Sequence, residues 1–162
     1  GRKKELIIRG GHNIDPATIE DPLHRHPAVA LAAAVGRPDA YAGELPVAYV
    51  QLKEGAQVGE QELLRFLQNE IAERAALPKA VHVIEAMPLT PVGKIFKPTL
   101  RHREIDAALG EALREAGVQV AAVEAAADAS RGTVVAVTLA PGASRDEAQR
   151  VLGQFPFAVE LA

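Results

Sequence analysis

Pro88-Leu89-Thr90-Pro91-Val92-Gly93-Lys94-Ile95-Phe96-Lys97 is the stretch on which the reading of this chain turns. Pro88, Pro91 and Gly93 interrupt regular structure, so the segment is predicted to be a loop that presents a side chain rather than burying it. On spacing alone, a glycine followed by lysine between prolines reads more readily as a solvated turn than as a site. It is not a phosphate-cradling P-loop, because the four-residue spacing from an upstream glycine and a Ser or Thr after Lys94 are both missing.

Upstream of this loop, Val81 to Ile84 is predicted as a short strand, and Leu63, Leu64, Leu67 and Ile71 recur at helical spacing within a helix over 60–76. Val29 to Val35 and Pro46 to Leu52 are apolar runs read as two strands joined by a turn-rich loop that holds Gly36-Arg37-Pro38-Asp39. Before them, Asp15 caps a helix, Pro16 takes its first position and Ile14 staples onto Ile19. Pro22 then kinks that helix or ends it early. Leu6 to Ile8 is a short strand, followed by the Gly10-Gly11 turn.

Downstream, the composition shifts toward alanine. A helix from Arg103 to Ala116, strands at 118–123 and 133–139, a helix over 144–152 and a last strand over 155–161 are predicted. The stretch from Ala125 to Gly132 reads as a turn region. The fold class is therefore α+β: a small mixed or antiparallel sheet with flanking helices over 1–103, then a second small α+β unit over 104–162.

The 162 residues are 48% apolar with a net charge of −3. So small a charge offers no field for nucleic acid or an acidic membrane surface, which points to a small-molecule partner. The chain has no cysteine, which excludes disulfides, thiolate metal sites and a cysteine nucleophile. No apolar run is long enough for a membrane helix and no signal segment follows Gly1-Arg2-Lys3-Lys4-Glu5, so the cytoplasm is the expected compartment. The absence of an initiator methionine before a strand-like run reads as a piece cut from a longer protein. His24 and His26 lack a partner at ligand spacing and are read as surface residues, and no metal site is predicted.

The opening Gly1-Arg2-Lys3-Lys4-Glu5-Leu6-Ile7-Ile8-Arg9-Gly10-Gly11-His12-Asn13-Ile14, then Ile19-Glu20, His26-Pro27-Ala28-Val29, Gly36-Arg37-Pro38-Asp39, Gly43-Glu44 and the Lys94 loop stand in an order and spacing that resemble one family. This is the carboxyl-terminal domain of the AMP-forming synthetases, which include acyl-CoA synthetases, luciferases and peptide-synthetase adenylation domains. The resemblance covers roughly residues 1 to 101. It implies two half-reactions, acyl-adenylate formation from a carboxylic acid and Mg-ATP and then thioester formation with CoA, with this domain rotating between them.

By the same resemblance, Lys94 is the catalytic lysine of adenylation, Lys4 the hinge, and Arg2 a residue near the nucleotide. Gly10 and Gly11 would line the passage for the pantetheine arm, with His12 and Asn13 beside the incoming thiol carrier. ATP, CoA and the acid would belong to the complete enzyme together with an amino-terminal nucleotide- and acid-binding domain. The fragment alone would bind none of them and be inactive. Lys94-Ile95-Phe96-Lys97-Pro98 resembles bacterial fatty acyl-CoA synthetases, which implies a fatty acid. Two other readings stand beside it: a fragment of a peptide-synthetase adenylation domain, and a binding or interaction module carried by 104–162.

Overall fold

The computed structural model describes residues 5–162. They form two compact units, one of residues up to 37 together with 41–100, the other of 38–40 together with 101–162.

In the first unit, β1 (Ile7–Arg9) and β2 (His12–Ile14) form a hairpin, followed by α1 (Ala17–Arg25), β3 (Val29–Asp39), β4 (Gly43–Leu52), α2 (Glu60–Glu70), a 3₁₀ turn (Arg74–Ala76) and β5 (Val81–Val83). The strands make one mixed sheet in the order β2-β1-β4-β3, with β5 parallel to β4 through Ala48↔Val81 and Val50↔Val83. Val29 to Val35 is apolar without alternation because the sheet is covered on both faces. Ala32 and Ala34 pack with Ile19, Leu23, Leu63 and Leu67 of the two helices, whereas Ala33 and Val35 join Val47, Tyr49, Met87 and Leu100 on the opposite side.

The start of α1 follows its sequence signals. The Asp15 carboxylate accepts the Ala17 N–H at 3.0 Å and Pro16 is already helical, so Asp15 acts as the cap with proline in the first position. Ile14 and Ile19 are both buried in one cluster, as a staple requires. The Ala17 N–H holds the Asp15 carboxyl below its ordinary value. Its stabilising bond is therefore present above the ordinary carboxylate range and lost as pH falls through the lowered folded value. Asp15→Ala is expected to cost about 1 kcal/mol, read by urea unfolding followed through tyrosine fluorescence. Both tyrosines, Tyr41 and Tyr49, lie in this unit.

Several boundaries differ from those predicted. Helix α1 runs through Pro22 and closes one turn later with a bond from the His26 N–H to the Leu23 carbonyl at 3.0 Å. Helix α2 stops at Glu70, well short of 76; no capping residue marks that end, and Ile71 leaves the helical conformation while its side chain stays in the core. His24 is exposed, but His26 is half-buried rather than a surface residue: its ring meets Phe66 edge-on at 4.8 Å and its Nδ1 accepts the Ala28 N–H.

Helix α3 (Lys97–Glu115) begins six residues before the predicted Arg103, in what read as the end of a loop. Pro98 does not oppose this earlier start, since in a first turn its missing N–H costs nothing. The second unit continues with β6 (Val120–Asp128), β7 (Gly132–Leu139), α4 (Arg145–Leu152) and β8 (Ala158–Leu161). Its sheet has the order β6-β7-β8, antiparallel then parallel. Leu109 and Leu113 of α3 and Ala148 and Val151 of α4 pack with Val135 and Val137.

The predicted turn region at 125–132 is mostly strand. Ala125 and Ala126 lie opposite Val135 and Val134, so the bulk that alanine lacks comes from the partner strand. Only Asp128 to Gly132 turns, with Asp128 Oδ1 accepting the Ser130 and Arg131 N–H groups. These bonds and the Arg131 guanidinium hold the Asp128 carboxyl far below its ordinary value. On the open edge of β6, Asp106 Oδ1 accepts the Ala125 N–H at 2.7 Å, although burial pushes that carboxyl up. Ser144 caps α4 by accepting the Glu147 N–H. The last strand starts at Ala158 rather than Phe155.

Candidate functional site

The Lys94 loop is a tight hairpin. Gly93 donates to the Thr90 carbonyl at 2.9 Å, Thr90 donates to the Lys94 carbonyl at 2.7 Å, and the Thr90 hydroxyl oxygen accepts the Lys94 N–H at 3.1 Å. Leu89 pairs with Ile95, and Phe96 donates to the Pro88 carbonyl. This is a three-residue loop in which Pro91 suits the first turn position and Gly93, at φ +83°, takes the left-handed position beyond it. Lys94 therefore follows a position that favours glycine, in a frame fixed by Thr90.

Lys94 is exposed, and its ammonium makes no ion pair among the described residues. Around it stand uncovered apolar side chains: Val92 is 80% exposed, Leu89 49% and Phe96 46%. Lys97, three residues on, is the opposite case. Its side chain is only 11% exposed and its Nζ lies 2.8 Å from Glu20 Oε2 and 3.9 Å from Glu5 Oε2. Glu20 Oε2 also accepts the Ala34 N–H at 2.9 Å. The two lysines of the motif are thus separated by structure into a cation at the hairpin that is unpaired among the described residues and a paired one at its base.

Gly10, Gly11, His12 and Asn13 lie together on the β1–β2 hairpin, in the register Ile7↔Ile14, Ile8↔Asn13 and Arg9↔His12. Gly10, at φ +57°, permits the two-residue turn, and neither glycine has a neighbour within 4 Å of where a Cβ would stand. His12 and Asn13 are exposed. The hairpin is anchored by Arg9, whose guanidinium donates to the Ala75 carbonyl at 3.0 Å. Glu5, which leads into β1, and Lys97, which ends the Lys94 loop, are within reach of one another, so the two site segments share a tether at their bases. Arg2 and Lys4 lie outside the described residues.

Sequence reading missed the division of labour between Lys94 and Lys97. Glu20 stood among the quoted residues, yet nothing in linear spacing pairs position 20 with position 97. The second unit contains a cleft of about 260 Å³ lined by Leu152, Phe155, Phe157, Val159 and Leu161, with Gln149 and Gly153 completing it. Among the described residues, no helix is long and apolar enough to cross a membrane, and no group of three or more His, Asp or Glu side chains is placed to hold a metal ion.

Residues 18–94, which span α1 to the exposed lysine, match the AMP-binding enzyme C-terminal domain. That segment belongs to this family. The chain is 44% identical over 161 residues to the marinolic acid–CoA ligase of a Pseudoalteromonas strain, an alignment that takes in 95% of this chain and 23% of that protein. Over 105 residues it is 39% identical to the long-chain-fatty-acid–CoA ligase of Bacillus subtilis, covering 65% of this chain and 19% of the relative. A solved structure of a fatty acyl CoA synthetase from Mycobacterium tuberculosis superposes with a TM-score of 0.57 at 39% identity, over 63% of this chain and 20% of that one. The chain thus spans about a fifth of the length of these relatives, and the marinolic acid ligase alignment extends into the second unit while the Bacillus alignment is shorter by more than a third.

Proposed function

We propose that this chain is the mobile carboxyl-terminal part of an acid:CoA ligase that makes an acyl-adenylate from a carboxylic acid and ATP and then a thioester with CoA. The observation that carries the reading is the contrast between the two lysines: Lys97 is bound into the fold by Glu20, while Lys94 is held out on a hydrogen-bonded hairpin with no ion-pair partner among the described residues. An exposed cation fixed at a defined point suits a reaction in which charge is needed only when a second surface arrives.

In adenylation, a carboxylate oxygen attacks the α-phosphorus of ATP and pyrophosphate leaves. Both reactants are anionic. The Lys94 ammonium, a compact charge with three donors, would sit between carboxylate and α-phosphate oxygens and stabilise the charge that builds up as they meet. The apolar collar of Leu89, Val92 and Phe96 supports this role, because covering those side chains against the nucleotide-binding domain would exclude water and strengthen the interaction. In the second half-reaction, a thiolate attacks the acyl carbon and AMP leaves. Here the slender Gly10–Gly11 turn would pass along the pantetheine arm, with His12 and Asn13 beside it. Lys4 is proposed as the hinge between the two poses and Arg2 as a nucleotide contact. Magnesium is assigned to the nucleotide and the upstream domain, and this chain takes no part in holding it. A fatty acid is the proposed substrate class, supported by the likeness to two fatty acyl ligases.

The chain itself supplies a lid with no floor. Purified alone, it is expected to fold and yet to catalyse no ATP–pyrophosphate exchange with fatty, aryl or short-chain acids, whereas the complete enzyme should do so with one of these classes. Exchange by the isolated chain would defeat the assignment.

A further inference from the structure

The β1–β2 hairpin that bears Gly10 to Asn13 is joined to the rest of its sheet by very little ladder. In a two-residue hairpin the residues flanking the turn, Arg9 and His12, face each other as a hydrogen-bonded pair, so the next residue along, Ile8, turns its N–H away from β2. On that outer side the register with β4 contains the single pair Arg9↔Gly43, and the Gly10 N–H reaches the Ala42 carbonyl at 2.7 Å. The Ile8 N–H finds no strand carbonyl. It is accepted at 2.9 Å by Glu44 Oε1. A side-chain carboxylate here replaces the next rung of the sheet.

That carboxylate has room only because of Gly36. A Cβ on Gly36 would lie 2.6 Å from both the carboxylate carbon and Oε2 of Glu44, and 2.9 Å from Oε1. Any side chain at position 36 therefore displaces the Glu44 head group. Glu44 is the flexible member of the contact, so the strand backbone can remain in place while the head group moves.

We infer that Glu44 is a positioning residue that fixes the Gly10–Gly11 hairpin through the Ile8 N–H, and that Gly36 is glycine in order to seat it. The inference concerns thioester formation and so rests on the proposed CoA ligase reading. A bond from a backbone N–H to an ionised carboxylate is among the stronger hydrogen bonds of a protein. It acts close to the turn, where a tilt at the base becomes a displacement at the tip.

Two measurements test this. In the present chain, Glu44→Ala is expected to accelerate hydrogen exchange of the Ile8 amide about tenfold, Gly36→Ala to do nearly the same with Glu44 intact, and Glu44→Gln, which keeps a carbonyl oxygen, to retain most of the protection. In the complete enzyme, Glu44→Ala should raise the KM for CoA while leaving the rate of adenylation unchanged, and Glu44→Gln should restore it in large part. Unchanged Ile8 exchange in both Glu44→Ala and Gly36→Ala, or equal loss of the two half-reactions, would overturn the inference. Should the wild-type enzyme form no CoA thioester, the functional reading fails, and exchange at Ile8 then decides alone whether Glu44 holds the hairpin.

Discussion

Replacing Lys94 with alanine in the complete enzyme is expected to slow acyl-adenylate formation about 10²- to 10³-fold, the usual consequence of removing one preorganised stabilising contact. A supplied acyl-adenylate should still be converted to thioester at nearly the wild-type rate. The separation follows from where the side chain stands. Lys94 is exposed and makes no ion pair among the described residues, so its removal leaves no buried charge without a partner and opens no cavity. The turn that presents it is closed by Thr90, Gly93 and the backbone of residue 94, none of which the substitution alters. A change that leaves the fold intact yet removes a charge should show itself only in the step that uses the charge. Lys94→Arg separates charge from shape, since a planar fork does not occupy the place of a compact ammonium. It should recover little of the lost rate. Equal slowing of both half-reactions by Lys94→Ala would mean that residue 94 acts through structure.

How much of this was legible beforehand depended on whether the signal was local. The Asp15 cap, the Ile14–Ile19 staple, the period of Leu63 and Leu67 and the turn at Gly10–Gly11 are each encoded within a few residues, and each is found in place. The extent of β6 was not legible, because alanine has little strand preference of its own and Ala125 to Ala127 become strand only against Val134, Val135 and Thr133. The end of α2 at Glu70 was hidden in the same way, since the helical period continues to Ile71 while the backbone does not. For the site, the resemblance drew attention to Lys94, and the hairpin around it follows from Pro91 and Gly93. What linear sequence could not supply was the contrast with Lys97, or the use of Gly36 and Glu44 to support a hairpin far from both in the chain. Lys97 meets Glu20 across 77 residues and Glu44 meets Ile8 across 36, while Gly36 lies only 8 residues from Glu44, yet all are residue types common on any surface.

Lys97→Ala should destabilise the first unit by about 2–3 kcal/mol, below the 3–5 kcal/mol of a fully buried pair because both partners keep some exposure. The helix gives no reason for a lysine there: Lys97 opens α3, where the dipole disfavours a cation. Its charge is explained by Glu20, at 2.8 Å, whose Oε2 is already committed to the Ala34 N–H of β3. Without Lys97, that half-buried carboxylate would keep, among the described residues, one donor and no counter-charge, and the bond tying α1 to the sheet would be weakened with it. Lys97→Met keeps the length of the stem and should cost nearly as much as alanine, which identifies charge as the lost element. Combining Lys97→Met with Glu20→Gln should recover most of the stability, because an amide oxygen still accepts from Ala34 and no ion remains to be paired. Tyrosine fluorescence during urea unfolding follows this unit selectively, since Tyr41 and Tyr49 both lie within it. If the single substitutions cost less than about 0.5 kcal/mol and the double variant simply adds them, the pair behaves as a solvated surface contact, and the base of the Lys94 hairpin is held by its backbone alone.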